Sequence, residues 1–163
     1  MTNPRRNAVV AYGLAGLIIA VDQGAKSWVL DRLGMTPGAS MPWLGPIDLT
    51  LVRNDGISFG LFQTHADWTR WGLIVFSLGV AIALAVWVWR PGRRLNALAL
   101  GCLIGGAVGN MIDRIIRGSV VDFIDIRFLH FPWIFNIADA AINVGIALLV
   151  AASFLRTPPA VRT

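Results

Sequence analysis

Asp122 and Asp139 are the residues of this chain best suited to do chemistry. Neither has an opposite charge within four residues. Both lie in GNMIDRIIRGSVVDFIDIRFLHFPWIFNIAD, residues 109–139, which also holds Asp113 and Asp125 and is flanked by runs apolar enough to lie in a bilayer. A carboxylate at such a border is costly, and therefore a functional suspect. Two carboxyls brought together in a low-dielectric site do not both ionise readily; one pKa rises and the pair shares a proton. One aspartate can then activate water while the other donates to a carbonyl oxygen or a leaving amine. That is the chemistry of an aspartyl peptidase. On spacing alone it competes with a structural or proton-relay role for the same two residues.

Other polar residues recur at helical spacing around this pair. Asp22 and Lys26 are an i, i+4 pair; Asn110, Asp113 and Arg114 are spaced i, i+3, i+4; Asn136, Asp139 and Asn143 are spaced i, i+3, i+7. Each set shares one face of a helix. Asp22 with Lys26 reads first as an ion pair tying helices together, and Asp113 with Arg114 as a pair ordering the chain after its helix. The three asparagines suit inter-helix hydrogen bonds, and Gly101, Gly105 and Gly109 form a small-xxx-small ridge for close packing. Nothing marks His65 or His130 as a base. The single cysteine, Cys102, lies in an apolar run, and no Cys/His spacing suggests a metal, so neither metal nor cofactor is expected.

The elements that must position these groups are apolar. Apolar residues make up 56% of the 163 residues and charged residues only 14%, about half the share of a soluble domain. Mean hydropathy is +0.66, which points to an integral membrane protein. The pI near 11.0 invites a nucleic-acid reading, but the charges sit at the ends of apolar runs and form no basic stripe, so no nucleic-acid partner is expected. Four segments are long enough to cross a bilayer, about 9–30, 71–89, 95–116 and 134–155. The first resembles a secretory signal at its start, but it continues through Asp22 and Lys26 to Trp28-Val29-Leu30, which favours an uncleaved helix.

Arg5 and Arg6, the turn Arg90-Pro91-Gly92-Arg93-Arg94, and Arg156 with Arg162 hold seven of the fourteen basic residues and no acid. The positive-inside rule then makes both termini and that turn cytoplasmic, and it brings all three polar clusters to the outer ends of their helices. Asp139 falls about five residues into the fourth helix on these boundaries. Trp68, Trp71, Trp87 and Trp89 suit the two interfaces of the second helix. Regions 31–70 and 117–133 face outward. Ile47–Leu51 alternates as a strand, Asn54-Asp55-Gly56 reads as a turn, and Ser119–Phe128 is again β-rich. The tail Thr157–Thr163 looks disordered. The expected fold is an all-α membrane protein, a single domain over 1–163, with four transmembrane helices and a small outer-face β-sheet and loop region.

Five short patterns, in order along this chain, resemble the bacterial lipoprotein signal peptidases, or signal peptidase II. VDQGAKSWV (21–29) looks like that family's Asp-Gln motif, and VRNDGISFGLF (52–62) like its Asn-x-Gly-x-x-Phe-Gly segment. GGAVGNMIDRI (105–115) looks like Gly-Asn-x-x-Asp-Arg, and VVDFIDI (120–126) and FNIADAAINVG (135–145) like its two aspartate motifs. Ala25, where the family commonly has threonine, and Ile57-Ser58, in place of a small apolar pair, depart from the pattern but spare both aspartates. The resemblance implies that Asp122 and Asp139 are a catalytic dyad supported by Asp22, Lys26, Asn54, Asn110, Asp113, Arg114, Asn136 and Asn143, with Arg114 and Asn54 near the substrate. It implies an aspartic endopeptidase of the bacterial inner membrane, acting at the outer face on a prolipoprotein signal peptide with a diacylglyceryl cysteine. Membrane lipid is the other implied partner and the expected state is a monomer. A small proton-relay transporter and a non-catalytic assembly factor are the competing classes. The first needs polar residues in the cytoplasmic half of the helices, and the second tolerates loss of both carboxylates.

Overall fold

The structure, a computed structural model, describes residues 3–56, 67–126 and 133–155. Four long helices carry the chain: α1 Pro4–Ser27, α2 Asp67–Val88, α3 Arg94–Arg117 and α4 Ile137–Phe154. Each is long and apolar enough to cross a membrane. Four strands pair antiparallel in the order β1 Ser40–Leu44, β2 Ile47–Asn54, β3 Val120–Asp125 and β4 Ile134–Phe135.

Local chemistry sets the helix ends. Asn3 accepts the Arg5 N–H and Pro4 occupies the first turn, where its missing donor costs nothing. Past Ser27 the chain widens into one π-helical turn, Trp28–Arg32. Gly118 ends α3 at φ +81°, a left-handed position that glycine adopts without strain. Asn136 caps α4 reciprocally with Asp139: its side chain accepts the Asp139 N–H, and its own N–H donates to the Asp139 carboxylate.

α3 is the central post. Gly101 and Gly105 let α1 come close; a Cβ on Gly105 would stand 2.9 Å from Ile18 Cβ, inside any tolerable contact. Gly106 does the same against α4, where a Cβ would meet the Ala138 carbonyl oxygen. Of the ridge read from the sequence, Gly101 and Gly105 face α1 and Gly109 faces both α1 and α4, while Gly106 lay outside that reading. α2 packs on α3 but leaves Val75, Phe76, Ile82 and Val86 more than half exposed. A stripe of that size has no place in water and belongs against lipid. Trp68, Trp71, Trp87 and Trp89 are exposed at its two ends, as the interface reading expects.

Two ends of the bundle can be told apart. At one, Asn7 Nδ2 donates to the Gly92 carbonyl, and Trp89 Nε1 donates to the Tyr12 hydroxyl, so the start of α1 lies at the α2–α3 turn. At the other, the sheet closes over the helix ends. Val29, Met35, Leu49, Leu51, Val121 and Phe123 form its own apolar core, with Ala25 and Ile137 packed against them.

The observed elements sharpen the sequence reading and correct parts of it. The first helix starts at Pro4 and packs on α3 through Ala11 and Ala15. The strand expected at Ile47–Leu51 runs to Asn54 and belongs to a four-stranded antiparallel sheet, the small sheet expected beside the four helices. The fourth helix begins at Ile137 rather than 134, because Ile134 and Phe135 pair with Asp125 and Ile124. Asn136 is therefore a cap outside the helix, and Asp139 is in its first turn. The readings for His65, His130, Ile57-Ser58 and the tail fall outside the described residues.

Candidate active site

The site is assembled from both ends of the 109–139 stretch and the end of α1. Asp122 sits in the middle of β3, where strand pairing to β2 buries it to 2% exposure. Asp139 is half-buried in the first turn of α4, where the helix dipole favours a negative charge. One residue joins them. Asn136 Nδ2 donates to Asp122 Oδ1 at 2.7 Å, and its backbone N–H donates to Asp139 Oδ2 at 3.3 Å. Asn110 Nδ2 adds a 2.7 Å bond to Asp139 Oδ1, and Asn54 Nδ2 a 3.0 Å bond to Asp122 Oδ2. All four carboxylate oxygens therefore accept from an amide.

The directions of these bonds are fixed by groups that can only donate. Lys26 Nζ donates to Asn110 Oδ1 at 3.3 Å, and Asn136 Nδ2 donates to the same oxygen, which turns the Asn110 amide nitrogen toward Asp139. The Asp139 N–H occupies Asn136 Oδ1, and the Gly56 N–H occupies Asn54 Oδ1. Asn110 and Asn136, read from the sequence as inter-helix hydrogen bonds, do join α3 to the start of α4, and in doing so they orient the two carboxyls.

Beneath the pair lies a fully buried charge cluster. Lys26 Nζ bridges Asp22 Oδ2 at 2.7 Å and Asp113 Oδ2 at 2.9 Å. Asp22 Oδ1 accepts the Ala138 N–H at the start of α4, and Asp113 Oδ2 accepts the Val121 N–H of β3. The cluster thus fixes the two backbone segments adjoining the two aspartates. The Asp22–Lys26 pair stands as expected. The Asp113–Arg114 pair does not: Asp113 Oδ1 is held by Arg117 and Gln23. The side chain of Arg114 leaves on the neighbouring face, donates to the Asn110 carbonyl at 3.4 Å, and lies within electrostatic reach of Asp139, Asp122 and Asp113.

Of the residues singled out by sequence, Asp22, Lys26, Asn54, Asn110, Asp113, Arg114, Asn136, Asp122 and Asp139 come together. Asn143 does not join them; it is exposed one turn farther along α4. Gln23 and Arg117 were missed as members. Gln23 Nε2 reaches Asp22, Gly109 O and Asp113, while its Oε1 accepts from Arg117 at 2.8 Å. The i, i+4 spacing of Asp113 and Arg117 was the available signal for the second. Among the described residues no group of three or more His, Cys, Asp or Glu is placed to hold a metal ion.

Burial drives the Asp122 carboxyl up to about 6 from 3.8. The Asn54 bond opposes this, the Asp139 charge adds to it, and the Asn136 bond and Lys26 oppose it again. A buried aspartate that holds its proton near neutrality, beside a second one at a helix N-terminus, can run general acid–base chemistry.

The family profile described as Signal peptidase (SPase) II matches residues 14–155. The lipoprotein signal peptidase of Caulobacter vibrioides is 55% identical over 151 residues, covering 92% of this chain and 89% of its own. That of Synechocystis is 43% identical over 143 residues, covering 86% and 84%. A solved bacterial membrane enzyme superposes with a TM-score of 0.78 at 26% identity, covering 94% of this chain and 92% of its own.

Proposed function

Because the chain belongs to the signal peptidase II family, the lipoprotein signal peptidases, we propose that Asp122 and Asp139 are its catalytic dyad. It is an aspartic peptidase and a multi-pass membrane protein. Its substrate is a prolipoprotein, cut on the amino side of a cysteine carrying a diacylglyceryl group. The single observation that carries the dyad is Asn136, whose side chain donates to one carboxyl and whose backbone donates to the other.

Asp122 holds the shared proton. Its burial favours the neutral form. Charge balance supports one proton on the pair. Asp22, Asp113, Asp122 and Asp139 face Lys26, Arg114 and Arg117, so four carboxyls meet three cations. The Asp139 carboxylate takes a proton from water as that water attacks the scissile carbonyl. Asp122 donates to the carbonyl oxygen, and as the tetrahedral intermediate collapses the proton held by Asp139 passes to the leaving amine while one gem-diol hydroxyl returns its proton to Asp122. Arg114 and Asn54 stand beside the pair to meet the substrate backbone, and Asn143, exposed one turn farther along α4, supports from outside the cluster.

The membrane frame follows from the basic residues. Arg5, Arg6, Arg90, Arg93 and Arg94 mark one end of the bundle as cytoplasmic, so the dyad lies at the outer face of the inner membrane. A signal-peptide helix and a lipid both arrive there from the bilayer. The chain acts as a monomer and a single domain over 1–163. The deciding experiment incubates purified protein in detergent with a diacylglyceryl-modified precursor and sizes the product. Wild type releases the signal peptide, with or without a chelator, and Asp122→Asn does not. Cleavage by that variant at the wild-type rate overturns the dyad.

A further inference from the structure

Asp125 is a buried carboxylate that the dyad does not use. It lies three residues beyond Asp122 on β3 and so points to the opposite face of the sheet. The Thr50 hydroxyl donates to its Oδ2 at 2.6 Å, and Ser40 Oγ lies 2.8 Å from Thr50 Oγ1. Thr50 occupies a particular place in β2. Leu49 stands opposite Ile124 and Val52 opposite Asp122, so three steps along β2 match two along β3. The extra residue is absorbed at Thr50–Leu51 as a β-bulge, a device that re-aims side chains beside functional sites.

The bulge decides which side chain meets Asp122. Val52 is directly opposite Asp122 and shares its face; Asn54, two residues on, shares it too and reaches Asp122 Oδ2 at 3.0 Å. A ladder continued from Leu49–Ile124 without the shift would set Leu51 against Asp122. It would then carry Arg53 to that face and Asn54 to the other. The two outcomes differ chemically. An amide supports the aspartate in either protonation state, whereas a guanidinium beside it would hold the carboxylate ionised and remove the proton the reaction needs.

We propose that Thr50 and Asp125 are positioning residues for the peptidase reaction: their hydrogen bond holds the β2 bulge that presents Asn54, and not Arg53, to Asp122. This rests on the reading of Asp122 as one half of the dyad. The other groups facing Asp122 are Asn136 and Asp139 at the start of α4, Lys26 from α1 and Arg114 from α3. None of them depends on the bulge, so a change confined to Thr50 isolates the Asn54 contact.

The test is the pH profile of kcat/KM for a diacylglyceryl-modified precursor. Thr50→Val removes the hydroxyl at nearly constant volume. Loss of the bulge then sets Arg53 beside Asp122 in place of Asn54 and moves the alkaline limb downward by about one unit, opposite to Asn54→Ala, which moves it upward. The double variant follows Thr50→Val, because Asn54 no longer faces Asp122 once the bulge is lost. Thr50→Ser keeps the hydroxyl and keeps the limb in place. If Thr50→Val does not accumulate in membranes, Asp125→Asn, which retains an acceptor for Thr50, leaves the limb unmoved while Asp125→Leu shifts it. An unmoved limb in Thr50→Val or Asp125→Leu, or shifts that add in the double variant, overturns the proposal. Asp122→Asn in the same assay separates the two readings. If it is inactive while the Thr50→Val limb stays put, the bulge role fails and the dyad stands.

Discussion

At the scale of single residues, Asp122 and Asp139 have unlike surroundings and should fail differently. Asp139→Asn keeps the shape of the α4 cap but removes the anion that activates water. Cleavage in detergent should fall about a thousandfold or more while the protein stays folded in the membrane. Asp122 is set by its proton. Its folded pKa, about 6, lies above the ordinary 3.8. The stability tied to that proton is therefore fully present below 3.8 and is lost as pH rises through about 6. Asp122→Asn carries no titrating group there, so the difference between the two proteins isolates the carboxyl. In thermal or denaturant unfolding, wild type should lose up to about 3 kcal/mol relative to the variant between about pH 4 and about pH 7. A flat difference across that window would contradict the raised pKa. The same proton sets the rate: kcat/KM should decline as pH rises above about 6, the Asp122 value in the free enzyme. The two aspartates were legible in the sequence because each lacked a nearby opposite charge at the edge of an apolar run. What the spacing left open was their bridge. Asn136 and Asp139 were read as one helical face, whereas Asn136 is a cap whose side chain turns away to Asp122.

At the scale of elements, the helices were readable and the strands only in part. Long uncharged runs announce a span by length alone, so α2 and α3 fall within a few residues of expectation. β1 could not be seen the same way: all five of its residues are exposed, so it carries no alternation of buried and polar positions. β4 is two residues long and looks like the start of a helix until its pairing to β3 is known. Gln23 was hidden because Gly109, Asp113 and Arg117 lie on another helix, whereas Arg117 was overlooked despite its i, i+4 spacing to Asp113. The junction of α1, α3 and α4 is the tightest consequence of this packing. Gly109 leaves room there: a Cβ would stand 3.0 Å from Asp22 Oδ2 and 3.2 Å from Ala138 Cβ. Gly109→Ala should cost about 1–3 kcal/mol and lower activity together with stability, since Asp22 holds the Ala138 N–H next to Asp139. Lys26→Met is harsher. It strands Asp22 and Asp113, both fully buried, without their shared cation. A loss of about 3–5 kcal/mol is expected, measured as unfolding in detergent.

At the scale of the whole molecule, the two ends of the bundle carry different chemistry, and the proposed orientation rests on that asymmetry. The end with Asn7, Gly92 and the Arg90–Arg94 turn is basic, and there Asn7 joins α1 to the α2–α3 turn and Tyr12 joins it to α2. The other end holds the charge cluster, both aspartates and the sheet. A peptidase that meets its precursor as the lipid-modified cysteine emerges from the bilayer must keep its sheet end outward. Leu44 offers a probe there, because it is 64% exposed at the tip of β1, and Arg93 offers one at the opposite end, where it is also exposed. Cys102 is buried in α3 and contributes little background. In intact cells a membrane-impermeant thiol reagent should label Leu44→Cys and not Arg93→Cys, and permeabilising the inner membrane should make Arg93→Cys reactive. The opposite pattern would place the dyad on the cytoplasmic side. It would then break the link between the positive-inside charge count and the site of cleavage, even if both aspartates proved essential.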